Sequence, residues 1–277
     1  MNEKALRTLE YHKIIDLLVR HANCEAAKQR CKKLTPMTSL ADIETAQRQT
    51  ADALSRIFKK GSLSFLGVHD VTASMKRLEI GAALSIEELL HLASLLEVAK
   101  RAKAYSRNDR TEEAETSDSL DEFFDAIEPL TPLLEEIRRC IISSDEISDD
   151  ASSGLKAVRR SMKGMQDKIH SQMNSILNSA SASGLLQDNV ITMRNGRYCL
   201  PVKSEYKNQV PGMVHDQSST GSTLFIEPLA VVNLNNELKE LYLKEQEEIE
   251  KILADLSNLV SEYIPYILED YRILSEL

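Results

Sequence analysis

Residues 155–184 read LKAVRRSMKGMQDKIHSQMNSILNSASASG, and an apolar side chain recurs at every third or fourth position before Gly184. This spacing places the apolar groups along one face of an α-helix. The apolar positions are Leu155, Val158, Met162, Met165, Ile169, Met173, Ile176 and Ala180. A helix of about thirty residues is roughly 45 Å long, which is typical of an arm that packs against a second helix.

The pattern changes to period two between residues 188 and 228. Asn195-Gly196 is the dipeptide most typical of a tight β-hairpin turn, and Pro211-Gly212 indicates a second turn. The predicted strands are residues 190–194, 197–202, 213–216 and 223–226. Together these features predict a small antiparallel sheet that follows the long helix.

A second long helix is predicted over residues 229–263, with Glu245 interrupting its apolar stripe as a stutter interrupts a coiled coil. The helix before the sheet is rich in cations (Lys156, Arg159, Arg160, Lys163 and Lys168), and the helix after it is rich in carboxylates. Opposite charges suit two antiparallel helices lying side by side, although exposed pairs contribute only tenths of a kcal/mol each. We therefore predict a two-helix arm in which Ile169 and Leu241 face each other's helix.

The chain before this arm shows helical periodicity and no strand signal over its first 105 residues. Residues 3–33 predict one or two helices. Ser39 with Asp42 predicts the start of another helix, which ends near Gly61. Ser85 and Glu88 form the pattern of a capping box, which opens a helix running to about residue 105. Residues 106–120 are polar and acidic and predict a linker or mobile loop.

The predicted fold class is therefore mainly α, with a helical core and a long antiparallel helical hairpin that carries a small antiparallel sheet at its tip. The predicted domains are a helical core over residues 1–125, the two arm helices and the sheet over residues 126–262, and a return into the core over residues 263–277. The sheet occupies about residues 188–228 of the second part.

Composition narrows the possible functions. The net charge is −9, but residues 109–150 hold fifteen carboxylates against three arginines, so the rest of the chain is slightly basic. An acidic total does not exclude a local basic surface. The acidic segment lacks the spacing of metal ligands and is interpreted as solvated.

The four cysteines form no CxxC pair and are interpreted as free thiols. No apolar run approaches the roughly 20 residues of a membrane span, so a cytoplasmic protein without a membrane partner is expected.

Short motifs across the arm resemble the second bacterial family of MutS proteins. They include ITMR at residues 191–194, RYCLPVK at residues 197–203, GMVHD at residues 212–216, STGST at residues 219–223, FIEP at residues 225–228 and NLNNE at residues 233–237. The resemblance covers the whole chain and is densest over residues 150–255. It implies that the arm and sheet are the lever and clamp of a MutS-like protein, which grips branched or double-stranded DNA or the ribosomal RNA of collided ribosomes. The family is linked to suppression of recombination and to ribosome rescue.

The resemblance also implies parts that this chain does not show. Full-length members carry a MutS-type ATPase domain that uses ATP and Mg, usually carry a C-terminal nuclease domain, and form homodimers. No glycine here is followed by GK[ST] at P-loop spacing. We therefore expect a fragment that stops before the ATPase domain, with no catalytic residue, metal or cofactor, that neither binds nor hydrolyses ATP. Phe225-Ile226-Glu227 has the letters of the mismatch-reading motif of repair MutS proteins but follows the clamp strands, and is interpreted as structural.

The candidate nucleic-acid-binding residues are Arg194, Arg197, Lys203 and Lys207, with only Glu205 opposing them. Cations at the tip of the arm would contact phosphates and give salt-sensitive, sequence-independent binding. The alternative is an ordinary solvated strand face. Because exposed arginines contribute little pairing energy, replacing both arginines with alanine is expected to change stability little.

Two further alternatives concern function. His215 and Asp216 lie close to Ser218, which could indicate acid–base or nucleophilic chemistry, but no orienting third group can be assigned. A turn stabilised by side-chain hydrogen bonds is the favoured interpretation. The rival to nucleic-acid binding is a structural or protein-partner-binding coiled-coil module that makes no direct contact with nucleic acid.

Overall fold

A computed structural model describes residues 3–107 and 118–277 of the chain. The chain divides into two compact units: the first is Met1–Ser148 together with Leu253–Leu277, and the second is Asp149–Ile252. Helices dominate both, and the strands form two small antiparallel sheets. The predicted mainly α fold class is confirmed, whereas the predicted division into domains stays a prediction. Most of the predicted acidic linker lies outside the described residues.

The first unit is helical. Its helices are α1 (Glu3–Thr8), α2 (Tyr11–His21), α3 (Glu25–Lys32), α4 (Leu40–Lys60), α5 (Thr72–Glu79), α6 (Ile86–Arg107), α7 (Asp121–Ala126) and α8 (Thr131–Cys140). Residues 3–33 form three helices instead of the predicted one or two. The first break falls at Glu10, whose φ of 53° lies in the left-handed region, and the second at the extended residue Ala22. Neither residue is a glycine or proline, so the sequence carries no signal for either break.

The predicted helix caps of this unit are confirmed. Ser39 Oγ accepts from the Asp42 N–H at 3.5 Å, and Gly61, with a φ of 81°, follows the last residue of α4. The Ser85 and Glu88 side chains each accept from the other's backbone N–H, at distances of 3.3 and 2.9 Å. This reciprocal pair is the capping box that opens α6.

The core of the first unit surrounds α6, on which Leu89, Leu92, Leu95 and Leu96 are fully buried. A two-stranded hairpin, β1 (Ile141–Ser143) and β2 (Glu146–Ile147), follows α8. It was not predicted, because two or three residues are too few to show alternation. After α10 (Leu229–Ser261), most of which belongs to the second unit, α11 (Ile264–Glu276) completes the first unit.

The second unit contains α9 (Ser153–Ala182), most of α10 (Leu229–Ser261) and a four-stranded antiparallel sheet. The strands are β3 (Thr192–Arg194), β4 (Arg197–Lys203), β5 (Gly212–Gln217) and β6 (Thr223–Pro228), in the spatial order β3-β4-β6-β5. All four predicted strands are confirmed within a few residues at each end. Asn195 and Gly196 both have positive φ, 50° and 73°, as a type I′ hairpin turn requires.

Helices α9 and α10 lie antiparallel. Arg159 pairs with Glu245 at 2.7 Å, and, further along α9, Gln166 donates to the Tyr242 hydroxyl at 3.2 Å. The core between them includes the fully buried Ile169, and the partly buried Leu241 packs against the same core, as predicted. One face of the sheet joins this core through Tyr198, Leu200, Val202 and Ile226. Among the described helices, none combines the length and apolarity that crossing a membrane requires.

Candidate nucleic-acid interface

The four predicted basic residues form two separate pairs. Arg194 and Arg197 are directly opposite each other across the β3–β4 hairpin, so they share one face of the sheet. Lys203 ends β4, six residues from Arg197 and therefore about 20 Å away along the strand. Lys207 lies in the short 3₁₀ helix Ser204–Gln209 that follows. Strand pairing thus brings the arginines together and leaves the lysines at the other end of β4.

Arg194 helps to curl the sheet. Its guanidinium carbon lies 4.0 Å from the centre of the Phe225 ring, and its Nε lies 3.3 Å from an Asp216 carboxylate oxygen. The adjacent Asn195 side chain donates to the His215 backbone oxygen at 3.2 Å. These contacts join the β3–β4 turn to β5, the strand at the opposite edge of the sheet. The sheet therefore curls on itself, and the side chains beneath Arg194 lie on its inner side instead of facing solvent on a flat surface.

Arg197 points into this curl. Its guanidinium donates to Glu227 Oε1 at 2.9 Å and to Asn236 Oδ1 at 2.6 Å, and its side chain is only 20% exposed. The expectation that both arginines are exposed is therefore wrong for Arg197. Strand alternation predicts which residues share a face, but whether that face curls inward depends on contacts between distant strands.

Glu227 is the centre of a buried hydrogen-bond network. It is fully buried, and its Oε1 accepts from Arg197 and, at 2.7 Å, from the Asn235 side chain. Its Oε2 lies 2.5 Å from His215 Nε2. Burial by itself would raise the pKa of Glu227, but hydrogen bonds from Asn235, Arg197 and His215 lower it below its ordinary value. The site therefore holds an ionised carboxylate that joins β4, β5, β6 and α10.

A bulge in β5 aims His215 at this carboxylate. Val214 pairs with Ile226 and Asp216 pairs with Phe225, so His215 is an extra residue in the ladder. Bulges commonly redirect a side chain in this way. The interpretation of Phe225-Ile226-Glu227 as structural is confirmed: the phenylalanine lies under Arg194, the isoleucine is buried in the core, and the glutamate centres the network.

The loop between β5 and β6 is a hydrogen-bonded turn, as interpreted from the sequence. Ser218 Oγ accepts from the Thr223 N–H at 3.1 Å, and the Thr220 and Ser222 hydroxyls lie 2.9 Å apart. The four cysteines are free, also as interpreted. Burial raises the pKa of Cys199 to about 11, which keeps its thiol protonated.

The two lysines differ in their contacts. Lys203 is half-buried, and its ammonium donates to the Gly184 backbone oxygen at 3.1 Å. Lys207 is exposed and, among residues 3–107 and 118–277, has neither a hydrogen bond nor an ion pair. Of the four candidates, Lys207 is therefore the one whose charge no described residue engages.

Comparison with curated proteins places this architecture in a family. The chain is 57% identical, over all 277 residues, to the endonuclease MutS2 of Agathobacter rectalis, of which it covers 35%. It is 59% identical over 265 residues, 94% of the chain, to the endonuclease MutS2 of Lachnoclostridium phytofermentans, covering 33% of it. The endonuclease MutS2 of Lachnospira eligens is 51% identical over all 277 residues, with 34% of it covered. The chain belongs to the MutS2 family.

The resemblance inferred from the clamp motifs is thus confirmed. The chain spans about a third of the length of the curated MutS2 relatives that it matches. No family model matches it.

The structure of this MutS2-family chain also reveals residues that sequence reasoning missed. Asn235 and Asn236 bind Glu227 and Arg197; the NLNNE motif contains both, but nothing in it indicates their partners. The cations of α9 had been assigned to pairing with α10. Among the described residues, only Arg159 forms such a pair. Its partner Glu245 is only 16% exposed, which explains why this glutamate interrupts the apolar stripe of α10.

Proposed function

We propose that this chain is the part of a MutS2-family protein that grips branched or double-stranded nucleic acid, either DNA or the ribosomal RNA of collided ribosomes. The relatives are named endonucleases, which act on nucleic acid. In the whole protein, a homodimer using ATP and Mg would control the grip, and the grip would serve recombination suppression or ribosome rescue. The ATPase and nuclease chemistry would reside in the parts of the relatives that this chain does not cover.

The observation that carries the proposal is Lys207, an exposed cation of the second unit that has no partner among the described residues. The whole chain has a net charge of −9, yet Lys207 is exposed and unpaired within the described residues, close in sequence to Lys203. Cations that are not engaged within the protein are available to replace the counterions of a phosphate backbone. Arg194, which is 38% exposed, can contribute a further contact at the other end of β4, whereas Arg197 positions the sheet.

The buried network suits the sheet to a mechanical role. Asn235 and Asn236 of α10 bind Glu227 of β6 and Arg197 of β4. A sheet held by satisfied buried hydrogen bonds moves as one body with the helix that holds it. In the full-length protein, a shift of α10 would therefore be transmitted to the sheet and would change its hold on nucleic acid.

The test is binding of the chain to a duplex of about 30 base pairs, to a four-way junction and to structured RNA, at salt concentrations from about 50 to 200 mM. We expect weak, salt-sensitive binding that does not depend on base sequence. The Lys207→Gln variant should reduce the slope of log affinity against log salt by about one. Lys239→Gln, which removes another exposed lysine without a partner among the described residues, is the matched control and should leave the slope unchanged.

The rival function, docking on a protein partner, predicts a different result. Exposed apolar side chains on the edge strands, Met193, Met213 and Val214, favour this rival. If the folded chain has no affinity for any of the three probes at the lowest salt, the nucleic-acid proposal fails and the rival replaces it.

A further inference from the structure

The outward face of α9 carries a continuous polar stripe. Seven exposed residues recur along it at steps of three or four: Lys156, Arg160, Lys163, Asp167, Ser171, Asn174 and Asn178. The buried residues of α9, such as Met162, Ile169 and Met173, lie on the opposite face. Because each residue advances the helix by 1.5 Å, the stripe is about 33 Å long.

The cations of this stripe are largely uncommitted. Within the described part of the chain, neither Arg160 nor Lys163 forms an ion pair or hydrogen bond. Lys156 pairs with Asp150 at 2.7 Å, and both side chains are more than half exposed. Ion pairs this exposed contribute little to stability, so a phosphate can compete for the lysine.

The two helices of the arm carry net charges of opposite sign. Helix α9 holds five cations and one carboxylate, whereas α10 holds seven carboxylates and three lysines. A polyanion would therefore be attracted to the α9 side of the arm and repelled by the α10 side. The remaining members of the stripe are hydroxyl and amide side chains, which commonly donate to phosphate oxygens.

The composition of the stripe indicates which polyanion fits. Single-stranded nucleic acid requires aromatic side chains on which bases stack, and protein interfaces are centred on buried apolar or aromatic anchors. None of the seven stripe residues is apolar or aromatic. The length of the stripe is close to one turn of a duplex, about 34–36 Å. We propose that this face of α9 is a phosphate-binding surface for double-helical nucleic acid, which extends the interface along the arm beyond the sheet.

This inference rests on the proposed function, and its test separates the two. The variant Arg160→Gln with Lys163→Gln removes both unpaired cations of the stripe and retains residues that favour a helix. Lys239→Gln with Lys244→Gln removes two exposed, unpaired lysines of α10 and is the matched control. Binding of each to a DNA duplex of about 30 base pairs is measured between about 50 and 200 mM salt.

In the α9 variant, the slope of log affinity against log salt should be smaller by about two. The ratio of its affinities at 50 and 200 mM salt should therefore be about tenfold smaller than that of the unaltered chain. The α10 variant should retain the original slope. Asp167→Asn, which removes the single carboxylate of the stripe, should bind more tightly than the unaltered chain. Impaired folding cannot produce such an increase.

Each outcome has a distinct meaning. If the unaltered chain binds duplex with a clear salt slope and the α9 variant keeps that slope, the α9 surface is refuted while the proposed function stands. A slope lost equally by the α9 and α10 variants, or no gain with Asp167→Asn, also refutes the α9 surface. If the unaltered chain binds no nucleic acid at all, both proposals fail together.

Discussion

Replacing Arg197 with alanine should destabilise the clamp sheet, because Glu227 would lose its charged partner while remaining fully buried. A hydrogen bond to a charged group contributes about 1.5–3 kcal/mol, and breaking a fully buried ion pair costs about 3–5 kcal/mol. Arg197 is 20% exposed, and Glu227 would keep its bonds to Asn235 and His215. We therefore expect the free energy of unfolding of the sheet to fall by about 2–3 kcal/mol.

Amide hydrogen exchange measures this loss where it occurs. The amides of β4 and β6 should exchange about 30- to 150-fold faster in Arg197→Ala. Arg194→Ala is the matched control: its pair with Asp216 is more exposed and its contact with the Phe225 ring contributes about 0.5–1 kcal/mol, so exchange should rise by no more than about tenfold. Adding Glu227→Gln to Arg197→Ala removes the unpaired charge, and the double variant should be more stable than the sum of the single effects predicts. If Arg197→Ala exchanges no faster than Arg194→Ala, the reasoning about the buried network is refuted.

Two further predictions concern the cores of the two units. Ile169→Asp would place a charge in the fully buried core between α9 and α10, and it should lower the free energy of unfolding of the second unit by several kcal/mol. Unchanged amide exchange over residues 149–252 would contradict the packing of α9 against α10. In the first unit, burial raises the pKa of Asp270 from 3.8 to about 7. The folded state therefore holds its proton more tightly than the unfolded state, so stability should fall, by up to about 4 kcal/mol, as pH rises from about 4 to 7. Asp270→Asn should flatten this pH dependence in urea unfolding, and an unaltered profile would show that Asp270 does not titrate in this range.

Local chemistry determined much of this fold from the sequence alone. The caps at Ser39 and Ser85, the glycine after α4 and the Asn195-Gly196 turn act over a few neighbouring residues, so they can be recognised without the rest of the chain. The long apolar stripe of α9 has the same advantage, since thirty residues of one period exclude other structures. The motifs of the clamp were sufficient to identify the family.

Only the tertiary structure decided which charged groups remain available for binding. Arg197 lies 30 residues before Glu227 and 39 before Asn236, and its contacts with them exist because the sheet curls and α10 begins beside it. Likewise, the sequence shows a row of cations on α9, but the packing of the two helices decides which of them face α10. Arg159 contacts Glu245 of α10, whereas Arg160 is exposed. Periodicity specifies the face of an element on which a side chain lies, whereas burial and pairing depend on what the folded chain places against that face.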